Sequence, residues 1–101
     1  MTDLIWIHYA RPRTAWYGLA EQERLDRAAQ WDDVRAASET AGGRQLGEFT
    51  VRGQSDYSTT ELWLFPTADA AFDHWQRMTA HGYAEWFDAA NSIGTRKRES
   101  Q

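Results

Sequence analysis

The apolar positions of this chain follow two rhythms. Leu4 to Tyr9 is a short run rich in β-forming side chains and predicts a strand. Arg11-Pro12-Arg13-Thr14 ends it, because proline donates no ladder hydrogen bond. From Leu19 to Thr40 the spacing is helical. Leu25, Ala28 and Ala29 begin a stripe that Trp31, Val34 and Ala37 continue with some drift, leaving room for a bend near Trp31-Asp32. Glu21 and Glu23 suit the positive end of a helix dipole, and Gly42-Gly43 stops the helix. Gln45 to Gly53 returns to period two, with Phe49 and Val51 alternating against Glu48, Thr50 and Arg52. Thr60 to Phe65 repeats that rhythm, and the polar stretch Gly53 to Ser58 joins the two runs into an antiparallel hairpin. Thr67 is placed to cap a second helix, whose stripe is Ala68, Ala71, Phe72, Trp75 and Met78 and which His81-Gly82 breaks. A short helix over Tyr83 to Ala90, closed by Asn91, and a last strand over Ser92 to Lys97 complete the pattern.

The order strand, helix, strand, strand, helix, strand predicts one α+β domain over residues 1–101. Its arrangement is ferredoxin-like, βαββαβ, with a four-stranded antiparallel sheet and the helices on one face. Alternation sorts the strand residues into two sets. Ile5, Ile7, Phe49, Val51, Leu62 and Leu64 form a wholly apolar face, which is expected to carry the helices. Trp6, His8, Glu48, Thr50, Arg52, Glu61 and Trp63 form the other. Two tryptophans on an otherwise polar face predict that a partner covers it. A second copy about a two-fold axis is the simplest partner, so a homodimer is expected.

Composition sharpens this picture. Six Trp, four Tyr and four Phe in 101 residues concentrate the core in a few large side chains. A net charge of −4 argues against nucleic acid as a partner. The basic cluster Arg96-Lys97-Arg98 reads as a solvated tail. With no cysteine there is no disulfide, thiolate metal site or cysteine nucleophile. The N-terminal apolar run is too short for a signal peptide, and no stretch approaches the ~20 apolar residues of a membrane span. The expectation is a cytoplasmic protein that uses neither membrane nor nucleic acid. Gly42-Gly43 lacks the spacing of a phosphate loop, and no flavin or nicotinamide fingerprint or nucleophile elbow occurs. No tightly bound cofactor is expected.

The segment Phe65-Pro66-Thr67-Ala68-Asp69-Ala70-Ala71-Phe72-Asp73-His74-Trp75 is similar to the strand-to-helix join of antibiotic-biosynthesis-type monooxygenases. There an Ala-Phe pair is followed by a tryptophan on the second helix, and Trp75 matches it. Across essentially the whole chain, the element order resembles the dimeric α+β barrel superfamily, whose members pack two ferredoxin-like sheets face to face. That superfamily includes heme-degrading monooxygenases and chlorite-dismutase-like proteins. The heme-degrading members carry a heme-ligating histidine a little further along, where this chain has Tyr83-Ala84-Glu85-Trp86 and no histidine. Thr14-Ala15-Trp16-Tyr17-Gly18-Leu19 with Glu23-Arg24 resembles the start of the first helix in darcynin-type small proteins. The resemblance implies a small-molecule substrate and a pocket between helices and sheet, closed by the region of Tyr83, Trp86 and Phe87.

His8, Glu61 and Arg52 come from three strands of one face and are the candidate catalytic residues. A histidine held by a carboxylate works as general acid or base near neutral pH, and an arginine stabilises an enolate. This suits a cofactor-independent cyclase, isomerase or monooxygenase acting on an aromatic or polyketide-like substrate in secondary metabolism. The alternative is a non-catalytic dimeric ligand-binding or interaction module, in which the three form a charge network. Trp6, Trp63, Tyr57, Tyr83 and Trp86 are the candidate substrate-binding residues, with core packing or, for Tyr57, a turn role as the competing reading. His74 reads as a surface histidine and His81 as a helix-end cap. No two histidines have the i, i+4 spacing of a helical metal pair, so no metal is expected.

Overall fold

The computed structural model describes residues 3–53 and 56–97. Gln54 and Ser55 of the predicted turn, and Arg98 of the basic cluster, lie outside the described residues. The elements are β1 (Leu4–Pro12), α1 (Thr14–Tyr17), α2 (Glu21–Thr40), β2 (Arg44–Thr50), β3 (Thr59–Phe65), α3 (Ala68–Ala80), α4 (Tyr83–Trp86) and β4 (Phe87–Thr95). The four strands form one antiparallel sheet in the order β2-β3-β1-β4, the ferredoxin-like arrangement. None of the described helices is long and apolar enough to cross a membrane.

Local chemistry explains most boundaries. Thr67 caps α3 by accepting a hydrogen bond from the Ala70 amide at 3.1 Å. Gly42 takes φ 111° after α2, a conformation that favours glycine. α2 runs without a break through Trp31-Asp32, because Trp31 and Val34 are both buried and hold one face to the core. β2 carries an irregularity between Gln45 and Gly47 and stops at Thr50, so Val51 and Arg52 lie beyond the sheet.

The largest local difference is at the C-terminal end. The predicted helix to Ala90 is one turn, and Phe87 already has extended backbone, φ −131° and ψ 134°. Asp88-Ala89-Ala90 has helical propensity, but β1 offers an open edge, and pairing along Arg11↔Asp88, Ala10↔Ala89 and Tyr9↔Ala90 prevails.

The two faces of the sheet are exchanged relative to the sequence expectation. The helices cover the side of Trp6, His8, Ala10, Glu61, Trp63 and Phe65, all buried. The apolar side of Ile5, Ile7, Leu62 and Leu64 is only half-buried, and Phe49 is 50% exposed. The physical reason is size. Trp6, Trp63 and Phe65 bring more area to the helix layer than the aliphatic set, and the polar groups among them bond to one another. The homodimer contact expected on the tryptophan face is therefore excluded by the chain's own helices.

Candidate functional site

Under the helices lies a layer of polar side chains set among aromatic rings. His8 is 1% exposed on central strand β1. Its Nδ1 is 2.6 Å from Asn91 Oδ1 on β4, and its Nε2 is 2.8 Å from the Tyr83 hydroxyl at the start of α4. An amide oxygen only accepts, so Nδ1 carries the proton and donates to Asn91. Burial pushes the His8 pKa down, which keeps the ring neutral. Nε2 then accepts from the Tyr83 O–H. Burial pushes the Tyr83 pKa up, so that proton stays on the phenol. Tyr83, His8 and Asn91 thus form one directed chain, each donating to the next. Gly82 (φ 79°) turns the backbone between α3 and α4 and so sets Tyr83 in place.

A second group centres on Glu61. Arg35 on α2 donates to it twice, Nε to Oε1 at 3.1 Å and Nη2 to Oε2 at 2.8 Å. Trp63 Nε1 and Gln45 Nε2 also donate to Oε1, at 3.1 and 3.2 Å. Burial pushes the Glu61 carboxyl up, but the Arg35 hydrogen bonds and charge outweigh it and hold it below the ordinary range. Arg35 reaches on to Asp32 at 2.9 Å.

His74 is the third buried polar group, 1% exposed on α3. Its Nδ1 lies 2.5 Å from Ser38 Oγ, while its Nε2 has no hydrogen-bond partner among the described residues. Trp63, Trp6 and Phe65 surround the ring, with centroids 4.7, 5.1 and 5.5 Å away. Burial lowers its pKa to about 4.

Beside this layer, between β4 and α3, is a cavity of about 270 Å³ lined by Trp6, Phe72, Trp75, Asn91 and Ile93. Asn91 is its one side chain with hydrogen-bonding amide chemistry, and the only other polar atoms in the lining side chains are indole N–H groups. Trp6 separates the cavity from His8, stacked on the imidazole at 5.1 Å.

The structure brings together some of the predicted residues and separates others. His8, Glu61, Trp6, Trp63 and Tyr83 share the buried layer. His8 and Glu61 are not bonded to each other, because Arg35 has claimed the carboxylate. Arg52 is exposed past the end of β2 and takes no part. Tyr57 packs on Tyr9 at 5.9 Å, on the opposite face of the sheet from His8. Trp86 lies against Trp16 with Arg27 over its ring at 4.8 Å, away from the cavity lining. His74 is buried, contrary to its surface reading, and Phe72 is 57% exposed at the cavity rather than in the core. His81 stands just past the last residue of α3, where its backbone N–H, not its ring, bonds the Arg77 and Met78 carbonyls at 3.3 and 3.2 Å, and its own carbonyl accepts from Trp31 Nε1 at 3.0 Å. Asn91, Arg35 and Ser38 were missed. Arg35 carried a usable signal: it lies four residues after Trp31 on the buried stripe, where an arginine needs an acid opposite. Among the described residues, no group of histidines and carboxylates is placed to hold a metal.

No protein-family profile matches the chain, and no curated protein matches it in sequence. Solved structures do match in shape. A mutant chlorite dismutase from Candidatus Nitrospira defluvii, in complex with cyanide, superposes with a TM-score of 0.78 at 12% identity, over 97% of this chain and 41% of that one. A heme-binding protein from Thermus thermophilus superposes with a TM-score of 0.71 at 17% identity, over 94% of this chain and 40% of that one. The chain spans less than half the length of these structures.

Proposed function

The chain has the ferredoxin-like fold of the dimeric α+β barrel superfamily, and on that premise we propose that it is a cofactor-independent small-molecule enzyme. The observation that carries this is the chain Tyr83–His8–Asn91, which ends in the wall of an aromatic cavity. Each donor polarises the next, so the Asn91 amide is a stronger donor than an isolated one. A bound molecule that develops negative charge on an oxygen there is stabilised as in an oxyanion hole. Asn91 is the catalytic residue, because it alone of the three lines the cavity. His8 and Tyr83 are positioning residues. Enolisation of a bound ketone is the chemistry this arrangement serves: the α-proton passes to a base from solvent, because no ionisable side chain lines the cavity, and the electron pair moves onto the oxygen that the Asn91 amide faces.

Heme does not fit. The layer between helices and sheet is filled by Trp63, Phe65, Trp6 and His74, all 3% exposed or less. Both His8 nitrogens are engaged, and the free Nε2 of His74 is boxed in by rings. No step is assigned to a macrocycle.

The apolar outer face of the sheet is the natural seat of a second copy. Ile7 and Leu62 stand opposite each other at its centre, flanked by Ile5, Leu64 and Phe49. The Cα trace is 17 Å deep in its shortest direction, one sheet and one helix layer, so no helix among the described residues covers this face. The homodimer is thus proposed through the aliphatic face.

Enolisation can be assayed without knowing the natural substrate. The α-protons of 2-tetralone exchange in D2O, and the exchange is followed by NMR. The protein should accelerate it above buffer, and Asn91→Leu should lose about 10²-fold of that acceleration, as for one oxyanion donor. No acceleration over buffer rejects catalysis and leaves the non-catalytic ligand-binding reading, which the near-complete burial of His8 favours.

A further inference from the structure

We propose that Asn91 selects the ligand of this cavity, admitting uncharged aromatic compounds of one or two rings that present an acceptor oxygen, such as a carbonyl. This rests on reading the cavity as the binding site, and it deepens that reading by fixing the ligand class.

The direction of the hydrogen-bond chain decides the first requirement. Asn91 Oδ1 is occupied by His8 Nδ1–H at 2.6 Å. A flipped amide would require the ring proton to move to Nε2 and the Tyr83 hydroxyl to accept it. The oxygen is held on the buried side, and the NH2 is the half left for the cavity. With the Asn91 oxygen toward Nδ1 the ring proton sits on that nitrogen, and the Tyr83 hydroxyl, which can donate or accept, completes the chain by donating to Nε2. The cavity therefore presents N–H donors and no side-chain acceptor, and it rewards a ligand oxygen that accepts.

The lining decides the second. Trp6, Phe72, Trp75, Asn91 and Ile93 include no ionisable group. A carboxylate turned towards the Asn91 wall would give up water on that side and find no counter-charge, and Arg35 is committed to Glu61 and Asp32. The volume and the rings decide the third. The cavity is open on one side, with Phe72 57% and Ile93 38% exposed, and its volume of about 270 Å³ seats one or two rings against the walls. Three aromatic walls favour a flat partner.

The test is titration of the protein with 2-tetralone, with tetralin, which lacks the oxygen, and with 2-naphthoate, which carries a charge. Calorimetry measures affinity, and 1H–15N spectra locate the site through the Asn91 side-chain amide and the Trp6 and Trp75 indoles. The ketone should bind at least tenfold more tightly than tetralin and 2-naphthoate. Asn91→Leu should bring ketone and tetralin to equal affinity, and Asn91→Asp should abolish the preference for the ketone. Asn91 is exposed on an edge strand, so both variants are expected to fold, and circular dichroism checks this. Equal binding of tetralin and ketone to the unaltered protein, tighter binding of the naphthoate, or shifts confined to other residues would overturn the proposal. Ketone binding at Asn91 without α-deuteration leaves it standing and removes only the catalytic reading.

Discussion

His8 and Glu61 face each other directly across β1 and β3, yet no hydrogen bond joins them. Each has been taken by a different element: His8 by Tyr83 and Asn91, Glu61 by Arg35 of α2. Two polar networks therefore meet at one cross-strand pair. One is neutral and leads to a cavity, and the other is charged and ties a helix to the sheet.

The charged network is expected to behave as a structural clamp. Arg35→Met leaves Glu61 buried with only Trp63 and Gln45 as donors. Removing one partner of a buried pair costs about 3–5 kcal/mol, and the double variant Arg35→Met, Glu61→Leu should recover most of it. Urea unfolding with an unchanged slope gives both values. A single-variant loss under about 1 kcal/mol would match an exposed pair instead.

Acid should destabilise the protein through His74. Its pKa is about 4 in the fold against an ordinary 6.5, so the unfolded chain binds more protons between those values. The full contribution is present above pH 6.5, falls as pH drops towards 4 and is flat below. Its size is roughly 3 kcal/mol, from the shift at 1.36 kcal/mol per unit. His74→Gln should flatten stability across that window, read by denaturant midpoints at pH 7, 5.5 and 4.

Tyr83→Phe removes the hydroxyl that donates to His8 Nε2 and should cost about 1–3 kcal/mol, the penalty of a buried acceptor left unpaired. It should also slow α-deuteration less than Asn91→Leu does, because Tyr83 acts through His8. A larger catalytic loss in Tyr83→Phe than in Asn91→Leu would place the working group at the phenol.

Leu62→Asp, at the centre of the aliphatic face, should give a particle of 11.7 kDa in sedimentation, where the unaltered protein gives twice that mass. An unaltered protein that sediments as a monomer at micromolar concentration removes the homodimer.

Element order was legible because period two and helical spacing rest on local sequence. Thr67, Gly42 and the Leu62/Leu64 alternation needed no tertiary information. The orientation of the sheet was not legible, because both faces carry large apolar groups and only packing decides between them. A rule that polar faces turn outward misplaces Trp6 and Trp63, whose neighbours His8 and Glu61 find partners within the fold. Those partners are the reason the site was half seen. His8 and Tyr83 stand out as residue types, whereas Asn91 looked like a helix stop until β4 was known to begin at Phe87.

His8, Tyr83 and Asn91 are bonded in space but lie far apart along the chain. His8 is in the first strand, and Tyr83 and Asn91 follow it by 75 and 83 residues. During synthesis the imidazole must wait, hydrated, until Asn91 has emerged 83 residues later. Closure of so long a loop is entropically slow, and contacts of this range delay folding. β4 is thus the latch of the domain, and the cavity wall it carries is the last part of the domain to close.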